Sequence, residues 1–184
     1  MTNFSAREAH AAVVLVLRHE AGKDSVLLTK RAAHMREHPG EVAFPGGKRD
    51  IGDSSLYRTA LRECEEEVGL KEHQLRYRAE LGVQRTRSRA LVLPFVVELV
   101  GSAELCLSTE EIDSAFWAPL PLFVEDKRSC THVFESRGRE YWAPVYRWQG
   151  YEIWGFTARV LVDFVNTFYG GQLQRRHCAP ELRL

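Results

Sequence analysis

Residues 62–70 read Arg-Glu-Cys-Glu-Glu-Glu-Val-Gly-Leu, and the chain reaches them after a glycine pair in Phe44-Pro45-Gly46-Gly47. Glu63, Glu66 and Glu67 stand at i, i+3 and i+4, so at about 100° per residue they share one arc of a helix. Beside them Tyr57, Leu61, Cys64 and Val68 recur every three or four residues and form a core-facing stripe. Asp53 or Ser54 is the expected N-cap, the helix runs to about Val68, and Gly69 is its stop. The carboxylates therefore sit at the edge of the core. Like charges at this spacing repel, and a cation relieves the repulsion. Carboxylate oxygens are hard ligands that suit Mg²⁺ or Mn²⁺ rather than zinc. Taken alone, such a run is more readily a solvated helix face. Arg62, four residues before Glu66, can pair with it and fix its rotamer.

On either side, Ala11–Arg18 and Ser25–Arg31 read as a hairpin closed by a turn at Ala21–Asp24. Val42–Phe44 is a short extended piece stopped by Pro45-Gly46-Gly47. Leu75–Gln84 and Ala90–Val100 read as strands, as do Thr131–Glu135 and Glu140–Trp148. Thr109–Ala118 is mixed. Pro119–Glu125 reads as a short helix and Phe156–Phe168 as a long one, apolar at Val160, Leu161, Phe164 and Val165. This order predicts an α/β or α+β fold with a mixed sheet between helices. One domain over residues 1–184 is expected, with the stretch from Gly170 loosely held.

The 184 residues carry 25 basic and 25 acidic side chains. That balance provides no global field for nucleic acid or membrane surfaces. No apolar run approaches membrane-spanning length, and MTNFSAREAH lacks the order of a signal peptide. The four cysteines are far apart, without zinc spacing, so free thiols and a cytoplasmic setting are expected.

Anion recognition must then be local. Lys30, Arg31, His34, Arg36 and His38 precede the glycine pair, and arginine forks match phosphate oxygens. Gly46-Gly47 allows unusual backbone conformations and a close approach to an anion, although most such pairs are plain turns. Arg85, Arg87 and Arg89 alternate and would share one face of an extended segment, as a second phosphate grip or as a solvated edge.

Together these residues resemble the signature of the Nudix hydrolases. Its second half is met by Arg62, Glu63, Cys64, Glu66, Glu67, Gly69 and Leu70. Its first half departs: fourteen residues (48–61) separate Gly47 from Arg62 where the general pattern has thirteen, and Asp53 replaces the central glutamate. The extra residue is similar to the coenzyme A diphosphatase branch. That branch's upstream motif is met by Leu27, Leu28, Thr29, Arg31, Ala32, Arg36, Gly40, Phe44, Pro45, Gly46 and Gly47. Ile153-Trp154-Gly155 with Thr157-Ala158 resembles the entry to its last helix.

The resemblance implies an α/β/α sandwich, Mg²⁺ or Mn²⁺, and cleavage of coenzyme A or its derivatives to 3',5'-ADP and a 4'-phosphopantetheine. By position it makes Glu63, Glu66 and Glu67 the metal carboxylates, Arg62 their orienting partner, and Gly47 the start of a loop that fits the diphosphate together with Gly46. Glu66 is the expected base, with Glu110 or Glu111 as alternatives. Arg31 and Arg36, with Arg87 behind them, are expected to read the 3'-phosphate, and Phe44 the adenine. The expected partner is a small molecule, bound by a monomer or homodimer without nucleic acid or membrane. Other readings are a Nudix hydrolase of NADH, ADP-ribose or an oxidised nucleoside triphosphate, or a catalytically silent nucleotide-binding module.

Overall fold

The β-branched run from Ala11 is the spine of the larger sheet in the computed structural model, which describes residues 4–136 and 138–184. The chain divides into two compact units, the first ending at Ala118 and the second beginning at Pro119. In the first, the strands are β1 (Ala11–Glu20), β2 (Lys23–Arg31), β3 (Val42–Ala43), β4 (Gly46–Lys48), β5 (Leu75–Glu80), β6 (Gln84–Arg85), β7 (Leu91–Leu99) and β8 (Ile112–Pro119). Helix α1 (Leu56–Val68) lies between β4 and β5 in sequence.

β1 and β2 form the expected hairpin, with Leu17 opposite Val26. Its turn is tighter than the sequence suggested, only Ala21 and Gly22, because Lys23 and Asp24 already pair in the ladder. β7 runs parallel to β1, from Ala11 opposite Val92 to Leu17 opposite Glu98, and antiparallel to β5. That parallel pair among antiparallel neighbours makes the sheet mixed. The mixed segment at Thr109–Ala118 resolves into β8, which pairs with β2.

Helix α1 packs Ala60, Leu61, Cys64 and Val68 against Val14, Val16, Phe95 and Val97 in one core. Tyr57 joins at the margin, edge-on to Phe95 and Tyr77. The helix is capped one or two residues later than expected. Ser55, not Asp53 or Ser54, is the N-cap, its Oγ accepting the Arg58 N–H at 3.2 Å. The Asp53 carboxylate is unavailable for capping because Arg62 and the Asp50 N–H already engage it. Gly69 stops the helix in the left-handed region, φ 76°. The last turn is then covered by a loop: the Cys106 and Ser108 N–H groups donate to the Val68 and Glu67 carbonyls, each at 3.0 Å.

The glycine pair is a strand rather than a plain turn. Gly46, Gly47 and Lys48 pair with Val13, Ala12 and Ala11 on the same side of β1 that β2 uses further along. Leu75–Gln84 is likewise not one strand; it is interrupted between Glu80 and Gln84.

The second unit holds α2 (Pro121–Val124), β9 (Cys130–Ser136), β10 (Arg139–Trp148), β11 (Tyr151–Ile153), α3 (Gly155–Phe168) and β12 (Glu181–Arg183). Its strands lie in the order β11-β10-β9-β12. α3 buries Val160, Leu161, Phe164 and Val165 as its periodicity predicts. The stretch from Gly170 is not loosely held. Leu173 is buried and exchanges two hydrogen bonds with Asn166. β12 pairs parallel with β9, and Arg175 bridges Glu140 and Glu181. The mixed sheet and, among the described residues, three α-helices make this an α+β fold, as the element order indicated.

A Cβ on Gly46 would lie 2.6 Å from the Val13 Cα and closer still to the Ala12 carbonyl oxygen, at φ +151°. Backbone cannot yield as a side chain can. Gly46→Ala is expected to cost at least about 2 kcal/mol in urea unfolding; an unchanged midpoint would contradict the β1–β4 contact.

Candidate active site

The carboxylates that share one arc in sequence differ sharply in burial. Glu67 is 3% exposed and lies in the core, the Glu63 side chain is 17% exposed, and that of Glu66 is 59% exposed. The arc straddles the rim where α1 dips under β4.

Arg62 organises the rim. Its Nε and Nη2 each donate to the Asp53 carboxylate at 3.2 Å. Nη2 also donates to Glu63 Oε1 at 3.0 Å and to the Lys48 carbonyl at 3.2 Å. Nη1 donates to Glu66 Oε2 at 2.8 Å, the i, i+4 pair expected from sequence. Arg62 and the Asp50 N–H hold the Asp53 carboxyl down at about 2. Arg49 fastens the same loop by donating twice to the Asp53 carbonyl.

Glu67 is held differently. Its Oε2 accepts the Gly46 N–H at 3.2 Å, and its Oε1 lies 3.7 Å from an Arg31 Nη. Burial pushes its carboxyl up to about 8, outweighing the Gly46 bond and the Arg31 charge. Glu63 is also pushed up by burial, against the pull of Arg62. Glu111 adds its own negative charge to both. The loop carrying it is pinned where the Ala32 N–H donates to the Glu111 carbonyl at 2.8 Å, and a His34 ring nitrogen lies 2.9 Å from the Glu110 carbonyl.

A sequence signature fits this arrangement, and the family model described as NUDIX domain matches residues 8–133. The chain belongs to the Nudix family. It is 35% identical over 155 residues to the uncharacterized Nudix hydrolase NudL of Enterobacter sp. (strain 638), covering 84% of this chain and 79% of the relative. It is 39% identical over 127 residues to the peroxisomal coenzyme A diphosphatase ndx-8 of Caenorhabditis elegans, covering 67% of this chain but only 54% of that protein. The fold is similar to that of a C. elegans Ap4A hydrolase in a binary complex, with a TM-score of 0.53 and 24% identity over 62% of this chain and 83% of that one.

In this Nudix chain the donor set fits a hard divalent cation. It is all carboxylate oxygen, and Glu67 is a buried acid whose nearby positive group among the described residues is Arg31 at 3.7 Å. Among the described residues no three such side chains already converge on one point; Arg62 engages Glu63 and Glu66, and the Gly46 N–H engages Glu67.

The other expected residues are dispersed. Arg31 is at the carboxylates, while Arg36 is exposed on the segment before β3. Phe44 is 2% exposed and packs in the core, so it presents no face to a base. Arg85, Arg87 and Arg89 do not share a strand face. β6 ends at Arg85, the Thr86 N–H donates to the Ala90 carbonyl across a turn, and Arg89 adopts φ 71°. Sequence reasoning missed the Gly46 N–H and Arg31 as partners of Glu67; no local spacing signals a contact across more than twenty residues. Asp53 as the anchor of Arg62 was legible only as a substitution in the signature.

An acid whose folded value lies above its ordinary 4.5 stabilises the metal-free fold fully below that pH. Stability falls as pH rises toward 8 and then levels. Glu67→Gln, which keeps an acceptor for Gly46, should match the metal-free wild type near pH 5 and exceed it in urea midpoint at pH 8.5. Parallel pH profiles for the two proteins would contradict the burial of an ionisable Glu67.

Proposed function

We propose that this Nudix hydrolase cleaves the diphosphate of coenzyme A or its derivatives, releasing 3',5'-ADP and an (acyl-)4'-phosphopantetheine. The observation that carries the reading is the meeting of two motifs. The upstream run Leu27–Gly47 delivers Arg31 and the Gly46 N–H onto Glu67, so that run and the carboxylate helix are one site. The similarity to ndx-8 supports the same substrate class.

Glu63, Glu66 and Glu67 would hold Mg²⁺ or Mn²⁺, which when bound neutralises diphosphate oxygens and acidifies a water. The residues themselves do the rest. Arg62 fixes Glu63 and Glu66 against the loop, so their placement costs little at the moment of reaction. Glu66, the exposed carboxylate, takes the water's proton; Glu110 and Glu111 on the neighbouring loop are the alternatives. Arg31 faces the diphosphate end beside Glu67, and exposed Arg36 and Arg87 are left to the 3'-phosphate. The substrate is a small molecule, taken up by a monomer or homodimer in the cytoplasm without nucleic acid or membrane. Among the described residues no helix is long and apolar enough to cross a membrane.

Purified protein with Mg²⁺ or Mn²⁺ should release 3',5'-ADP from coenzyme A, identified by mass, in preference to products from NADH, ADP-ribose or nucleoside triphosphates. No 3',5'-ADP from any coenzyme A species would refute the substrate. Glu67→Gln should lower turnover by at least about a thousandfold while staying folded; full activity in that variant would refute the carboxylate assignment.

A further inference from the structure

The two glycines of the pair differ in what they require. Gly46 occupies a backbone conformation that disfavours side chains and abuts the backbone of β1. Gly47 does neither: its φ lies outside the left-handed region, and the three atoms nearest to its missing side chain all belong to one carboxylate. A Cβ on Gly47 would lie 2.5 Å from Glu63 Cδ, 2.6 Å from Oε2 and closer still to Oε1. Real Cβ atoms do not approach carboxylates so closely.

We propose that Gly47 is a positioning residue for Glu63: the space left by its absent side chain is the seat of the Glu63 carboxylate. Arg62 Nη2 holds the same carboxylate, donating to Oε1 at 3.0 Å. The carboxylate is thus in contact with both the β4 backbone and a guanidinium. Ala12, which pairs with Gly47 across the ladder, is itself fully buried, so β4 has no room to retreat. The glutamate is the flexible partner. A methyl at position 47 therefore leaves the ladder intact and swings Glu63 out of its seat and off Arg62. Chain conformation fixes Gly46; the catalytic carboxylate fixes Gly47. The steric part stands on geometry alone, while its consequence for metal binding rests on the proposed role of Glu63.

A double-mutant cycle over the full chain separates the two parts: wild type, Gly47→Ala, Glu63→Ala and the double variant. In metal-free thermal melts, Gly47→Ala should lower the midpoint in the wild-type background and leave it unchanged in the Glu63→Ala background. Equal losses in both backgrounds would overturn the seat. In Mn²⁺ titrations followed by electron paramagnetic resonance, Gly47→Ala should weaken binding by at least about tenfold in wild type and by nothing further in Glu63→Ala. Unchanged Mn²⁺ affinity across all four proteins, with the melting cycle as expected, would overturn the metal role of Glu63 and leave the seat standing.

Discussion

One guanidinium joins the helix to the loop that faces it. Arg62 bonds Asp53 and the Lys48 carbonyl on the loop side, and Glu63 and Glu66 on the helix side. Without it, three acidic groups would crowd one rim with little to offset their repulsion. With it, the loop from Lys48 to Asp53 has a fixed path, and two carboxylates have fixed directions. An exposed arginine pair is worth little by itself. Here the same group serves several partners at once, and Asp53, held low by it, stays charged throughout the physiological range.

Glu67 obeys the opposite physics. It is buried, receives one backbone N–H and has one long ion pair, to a guanidinium at 3.7 Å. Burying a carboxylate with so little compensation favours its neutral form. Such a group is unfavourable for the fold alone and is suited to a cation that arrives later. The sheet makes this placement unavoidable: β4 lies along β1, and Gly46 on β4 faces the last turn of α1. The stability cost of Glu67 and its proposed chemical use have one structural origin.

Much of this was legible in the chain. The stripe Tyr57, Leu61, Cys64 and Val68 gave the seated face of α1, and the run from Ala11 gave the central strand. Arg62 four residues before Glu66 gave their pair. What the sequence hid depends on contacts between distant segments. A Gly-Gly pair reads as a turn because nothing local announces that Ala11–Val13 waits to pair with it. Phe44 reads as a free aromatic because its burial is decided by the core, not by its neighbours. The alternating arginines after Gln84 read as one face because alternation presumes an extended chain, and a turn at Thr86–Ala90 removes that premise. The segment from Gly170 reads as loose because polar composition conceals the ion pairs of Arg175 and the parallel ladder with β9.

We propose that the buried Glu67 carboxylate takes a divalent cation as its counter-charge. Its most direct test is the thermal midpoint of the wild-type chain and of Glu67→Gln at pH 8, titrated with Mn²⁺. A ligand that binds only the folded state raises its midpoint with concentration. A steady rise is expected for the wild type and a much smaller one for Glu67→Gln. A wild-type midpoint indifferent to Mn²⁺, or equal rises in both proteins, would contradict it.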